Sequence, residues 1–253
     1  MADPAVLWHI EVSHYNEKAR WALDYKGVPH ERRAPLPGAH MGVALWLTRG
    51  QVKTFPVLEL DGRRIGDSTR IIEALEARYP EPPLYPADPD ERARALELED
   101  FFDEEVAPHV RLLGQHETIK DRENFDRYAA GPVGGHGRRV AGSMAATFIK
   151  LRYRVNASGA PELAKRKIEA GLDRVESELD GDYLVGEQFT VADLTAAAIL
   201  FPLARPACTP PPASGGSAVA KDHRPWLSAT SRATLSGPMC CLLLRDAAIG
   251  GEK

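Results

Sequence analysis

A Pro-rich stretch, Pro80 to Pro89, divides the chain into two parts with different periodicities. Before it, strand-length apolar runs alternate with helical repeats; after it, nothing from residue 90 to 200 alternates like a strand. Such a chain folds as an α/β unit followed by an all-helical one. The boundaries read as 1–80 for the first domain, 81–89 for a linker, 90–203 for the helical domain and 204–253 for a tail.

In the first domain, Leu7 to Val12 is an apolar run and Tyr15 to Lys26 a helix, with Ala19, Ala22 and Leu23 on one face and Gly27 as its stop. His30 to Leu36 suits an exposed edge strand, since Arg32 and Arg33 would lose their hydration in a sheet centre. A helix is predicted over Gly38 to Arg49. Pro56-Val57-Leu58-Glu59-Leu60 and Arg63-Arg64-Ile65 flank Asp61-Gly62, a pair that accepts the positive φ of a two-residue hairpin turn. Asp67 and Ser68 then offer cap side chains to a helix carrying Ile71, Ile72, Leu75 and Tyr79. The order is β-α-β-α-β-β-α.

In the second part, Asp88 as cap, Pro89 at the first helical position and Glu91 open a long helix. It continues through Phe102, Val106, Val110 and Leu113, with a bend expected at Pro108. Pro161 starts another, carrying Ile168, Leu172, Val175 and Leu179 at helical spacing and stopping at Gly181. In Phe189-Thr190-Val191-Ala192-Asp193-Leu194, the Thr190 hydroxyl is predicted to cap the Asp193 amide. The Asp193 carboxylate reaches back to the Thr190 amide, and Phe189 packs on Leu194. Gly131 to Gly137 follows no strand and lacks the Lys-Ser/Thr of a phosphate loop, so it reads as a flexible connection. From Ala204 onward Pro, Ala, Ser and Gly surround a short apolar patch, Met239 to Leu244, which is the composition of an irregular, disordered tail.

Composition removes several function classes. With a formal net charge of -4 and balanced signs, the chain has no basic field to attract a nucleic acid. No apolar run reaches membrane-spanning length and Asp3 stands where a signal peptide needs a base, so a cytoplasmic protein is expected. The eight histidines show no metal-ligand spacing, and no dinucleotide fingerprint follows a strand. Cys208, Cys240 and Cys241 all fall in the tail. Thiol chemistry in the body of the protein therefore needs a thiol carried by a ligand.

Ser13-His14-Tyr15-Asn16-Glu17-Lys18-Ala19-Arg20 lies at the first strand-to-helix junction. It is similar to the Ser-Pro-Tyr-Cys-Glu-Lys-Ala-Arg sequence of glutathione transferases, with His14 in place of Pro and Asn16 in place of Cys. With the order of elements, it makes residues 6–203 resemble that family, the resemblance ending at Pro206. It implies a thioredoxin-like domain that binds glutathione as co-substrate, followed by a helical bundle, with Ser13 as the catalytic residue. Phe55 would pair its backbone with the cysteinyl unit beside a cis Pro56, and Asp67 and Ser68 would hold the γ-glutamyl end. Lys53, and less directly His40, would meet the glycyl carboxylate. Family members are usually homodimers acting on small apolar electrophiles, often in detoxification.

Energetics allow that role for Ser13. Lowering a thiol pKa from about 8.5 by roughly two units takes about 2.7 kcal/mol. A hydroxyl hydrogen bond to the thiolate gives about 1.5–3 kcal/mol and a helix N-terminus roughly 0.3–1. The alternative for Ser13 is a plain helix cap, and for Phe55-Pro56 a trans proline opening a strand. For the whole protein the alternative is a non-catalytic module that keeps the fold and the ligand without turnover.

Overall fold

The computed structural model describes residues 4–36, 38–122, 125–126, 129 and 135–204. Apart from Ala204, the predicted tail lies outside the described residues, as do residues 131–134 of the glycine-rich connection. Gly135 to Gly137 are not connection but the first turn of a helix.

β1 (Ala5–Trp8) and β3 (Val57–Leu60) form the centre of a four-stranded sheet of order β2-β1-β3-β4. β2 (His30–Arg33) is parallel to β1 and mostly exposed, the edge that its two arginines demand. β4 (Arg63–Gly66) returns antiparallel to β3 through Asp61 and Gly62, at φ 49° and 75°. Both turn residues thus adopt the left-handed backbone for which the Asp-Gly pair is suited.

Alternation along the strands sends Ala5, Leu7, Leu58 and Leu60 to one face, where Ala19, Ala22 and Leu23 of α1 (His14–Tyr25) join Ile71, Ile72 and Leu75 of α3 (Ser68–Arg78). Trp8 and Val57 point to the other face and meet Ala44 and Leu47 of α2 (His40–Leu47).

The helical part begins with α4 (Pro89–Asp100), capped by Asp88, whose carboxylate accepts from the amides of Asp90 and Glu91 at 3.0 Å. At the predicted bend the chain forms a π-helical turn, Phe101–Val106, before continuing as α5 (Ala107–Lys120). The Ala107 amide bonds the Phe102 carbonyl five residues back. Pro108 has no N–H for the carbonyl four residues before it, so the α pattern is already interrupted where the wide turn forms.

α6 (Gly135–Tyr153), α7 (Ala160–Glu178) and α8 (Val191–Ala204) follow. α8 is apolar almost all round and is buried accordingly, with α1, α4 and α5 packed about it. Its start departs from the predicted cap in one bond. The Thr190 amide does donate to Asp193 Oδ2 (2.8 Å), but the Thr190 hydroxyl donates to the same oxygen (2.9 Å) and accepts from Ala192, not from Asp193. Asp193 Oδ1 accepts from the Leu184 amide at 2.8 Å, tying the preceding loop to the helix. One continuous cluster of buried side chains runs from Leu7 and Leu58 through α1 into Leu98, Phe102, Leu194 and Ile199.

Candidate active site

Three segments emerge at one end of the sheet. Trp8, the last residue of β1, pairs with Val57, the first of β3, and Val57 pairs with Gly66, the last of β4. The loop to Ser13 leaves from Trp8, Phe55-Pro56 precede Val57, and Asp67-Ser68 follow Gly66. Sheet register therefore starts the segments of Ser13, Phe55-Pro56 and Asp67-Ser68 from one end of the sheet; it does not place Lys53 or His40 there.

Ser13 holds an extended backbone (φ −94°, ψ 123°) at the cap position of α1, and its side chain makes no bond to the helix amides. The hydroxyl is half-buried at the positive end of the helix and does not act as its cap among the described residues. The Ser13 carbonyl takes the Asn16 and Glu17 amides (3.0 and 2.9 Å), starting the helix in its place.

The Phe55-Pro56 peptide is cis, and Phe55 is buried against Trp8, with ring centroids 6.4 Å apart. Asp67 sits at φ 81° and accepts from the amides of Thr69 (3.1 Å) and Arg70 (3.3 Å), while Ser68 is buried. Lys53 is exposed on the loop between α2 and β3 and makes no hydrogen bond or ion pair among the described residues. His40 begins α2, where burial lowers its pKa.

Six further residues shape the site. Asn16, read from sequence only as a departure from Cys, is wholly buried; it accepts from the Ile10 amide (3.1 Å) and donates to the Phe55 carbonyl (3.3 Å). Lys18, also wholly buried, reaches Glu99 (2.7 Å), Asp103 (2.5 Å) and Thr69 (3.2 Å), joining α1 and the start of α3 to the helical domain. Sequence reasoning missed Lys18, whose partners lie on other helices.

His14 is buried with its Nε2 unpartnered, and burial, assisted by Arg111, lowers its pKa to about 3. At neutral pH it is an uncharged imidazole. Arg111 of α5 stacks over the rings of Tyr15 (5.9 Å) and Tyr153 (5.1 Å) and has no acidic partner among the described residues. Tyr15 donates to the Asp103 carbonyl at 3.0 Å, and burial raises its pKa to about 12 even though Arg111 opposes the rise. With its hydrogen committed to the Asp103 carbonyl, the phenol is a poor rival to Ser13 as a donor to a thiolate. Gln115, one turn beyond Arg111 on the same face of α5, has a buried, unpartnered Oε1.

Among the described residues no group of three potential ligands is placed to hold a metal, and no helix is long and apolar enough to cross a membrane.

Residues 7–83 match the family description "Glutathione S-transferase, N-terminal domain" and residues 125–228 match "Glutathione S-transferase, C-terminal domain". The second match runs past Pro206, where the resemblance read from the residues ends. A maleylacetoacetate isomerase of Dictyostelium discoideum is 31% identical over 117 residues, which is 44% of this chain and 53% of that protein. The chain spans about half the length of the curated relatives it matches. Among solved structures, the β-etherase LigF of Sphingobium sp. strain SYK-6 superposes with a TM-score of 0.61 at 22% identity, covering 96% of this chain and 100% of that one. A glutathione S-transferase of Methylobacterium radiotolerans, in complex with glutathione sulfonate, does so at 0.53 and 26% identity, covering 94% and 92%.

Proposed function

The chain belongs to the glutathione S-transferase family, and from that premise we propose that it binds glutathione at this end of the sheet and activates its thiol with Ser13. The free Ser13 hydroxyl at the start of α1 is the observation that carries the reading. It donates to the thiolate, and the helix N-terminus adds its positive potential. Phe55 supplies backbone to the cysteinyl unit beside Pro56, and Ser68, at the positive end of α3, receives the γ-glutamyl carboxylate. Asp67 accepts from the ammonium group and Lys53 approaches the glycyl carboxylate. The thiolate attacks a small apolar electrophile held between α1 and α5. Homodimer assembly and a cytoplasmic setting follow from the same premise.

Arg111 favours a second reading of the electrophile. A half-buried guanidinium without an acidic partner, with Gln115 on the same helix face, suits a carboxylate. A thiolate that adds to a cis-alkene conjugated to such an acid and then leaves after bond rotation isomerises the alkene and is regenerated. The curated isomerase relatives support this course.

Calorimetric titration of glutathione into the wild type and Ser13→Ala, with thiolate absorbance followed against pH, tests the reading. Binding by both, with a lowered thiol pKa in the wild type alone, is expected. Binding without lowering makes the protein a non-catalytic module, and no binding by the wild type rejects the proposed ligand.

A further inference from the structure

Asn16 lies in the first turn of α1, three residues beyond Ser13, with no exposed surface. Burying a side-chain amide costs free energy unless both its ends are satisfied. Here each end is satisfied by the backbone of a different segment. Oδ1 accepts from Ile10, in the loop that delivers Ser13, and Nδ2 donates to the carbonyl of Phe55, the residue before Pro56. A side-chain amide carries a donor and an acceptor at a short, fixed separation without a charge; an ionised Asp lacks the donor and Leu lacks both. Ile10 and Phe55 each lie two residues beyond the Trp8–Val57 pair of the sheet, so past that pair Asn16 is a bridge between the two loops.

We propose that Asn16 is a positioning residue that fixes the Ser13 hydroxyl relative to the Phe55 backbone, so that one peptide ligand meets both. The proposal rests on the reading that glutathione spans these two loops. The Ile10 bond holds the loop that places the hydroxyl. The Phe55 bond fixes the orientation of the 55–56 peptide plane and with it the backbone offered to the ligand. Neither bond requires Asn16 to touch the ligand.

The test is Asn16→Asp, titrated with S-methylglutathione from pH 5 to 8 in parallel with the wild type; the blocked sulfur removes the thiol's own titration. The new carboxyl keeps the acceptor for Ile10. Buried, it also holds its proton to higher pH than an ordinary aspartate. Protonated, it donates to the Phe55 carbonyl as the amide does; ionised, it repels that carbonyl. The affinity ratio of variant to wild type is expected to be near one at the acid end and to fall about tenfold at the alkaline end, the worth of one buried hydrogen bond. Comparison as a ratio cancels the titration of groups that both proteins share. Asn16→Ser, which has no charge and cannot span both partners, is expected to bind about tenfold more weakly at every pH and serves if the aspartate variant does not fold. A ratio independent of pH, or wild-type affinity in the serine variant, overturns the proposal. If the wild type itself does not bind the ligand, the reading of the site falls first.

Discussion

The Lys18 ammonium lies 2.7 Å from the Glu99 carboxylate, and the two side chains retain only 0% and 1% of their exposure. The pair crosses from α1 to α4, and the Thr69 hydroxyl donates to Glu99 from the first turn of α3. Burial pushes the Glu99 carboxyl pKa up while Lys18 pulls it down. Removing the cation leaves Glu99 and Asp103 without their counter-charge. Lys18→Met is therefore expected to lower the unfolding free energy by about 3–5 kcal/mol. Adding Glu99→Leu is expected to recover part of that loss, read from denaturant midpoints. Full stability in the single variant would show the pair to be electrostatically idle.

Asp67 combines a positive φ of 81° with two cap bonds. Asp67→Ala loses the bonds and keeps a backbone that a Cβ disfavours, whereas Asp67→Gly loses the bonds alone. Denaturation should show the glycine variant more stable than the alanine variant by about 1 kcal/mol. Glutathione affinity should fall equally in both, because both lose the same carboxylate.

The fold holds His14 neutral down to pH about 3, while the unfolded chain takes up that proton near its ordinary value of 6.5. The stability tied to this residue is complete above 6.5 and is lost as pH falls toward 3, by up to about 1.4 kcal/mol per unit. Between pH 6.5 and 5 the wild type should lose about 2 kcal/mol relative to His14→Gln. His9, lowered by burial to about 4, adds to the acid sensitivity of both proteins, and Asp193, raised by burial to about 6, opposes it in both. The difference between the two proteins therefore isolates His14. Parallel pH curves would mean that the imidazole charges in place.

Arg111→Met separates the two readings of the electrophile. Toward an unsaturated acid the loss in kcat/KM should be about 10- to 100-fold, the worth of a charge-assisted hydrogen bond. Toward the neutral 1-chloro-2,4-dinitrobenzene it should stay within about twofold. Equal losses would assign Arg111 to packing on Tyr15 and Tyr153.

What the sequence disclosed, it disclosed through short-range chemistry. Asp61-Gly62, Asp88 and Asp67 act within three residues of themselves, so turn and cap could be read without a partner in view. Ser13 was legible because a family pattern surrounds it. Asn16 and Lys18 were not, because their partners lie 39 and 81 residues away and only the folded chain brings them together. Neither Lys18 nor Glu99 shows on its own helix that its charge is buried; the burial exists only as a pair. The π turn was legible as a bend at Pro108 but not in its form, since the extra residue per turn leaves no mark of its own in the hydrophobic spacing.

Because α1 gives one side to the sheet and another to α8, the apolar interior crosses the domain boundary without a break. Heat should therefore melt the two parts in a single calorimetric peak, and a ligand held by the first should raise the temperature at which the second comes apart. Cutting the chain in the Pro80–Pro89 segment would release no self-standing thiol-binding fragment, only two halves whose solubility each depends on the other.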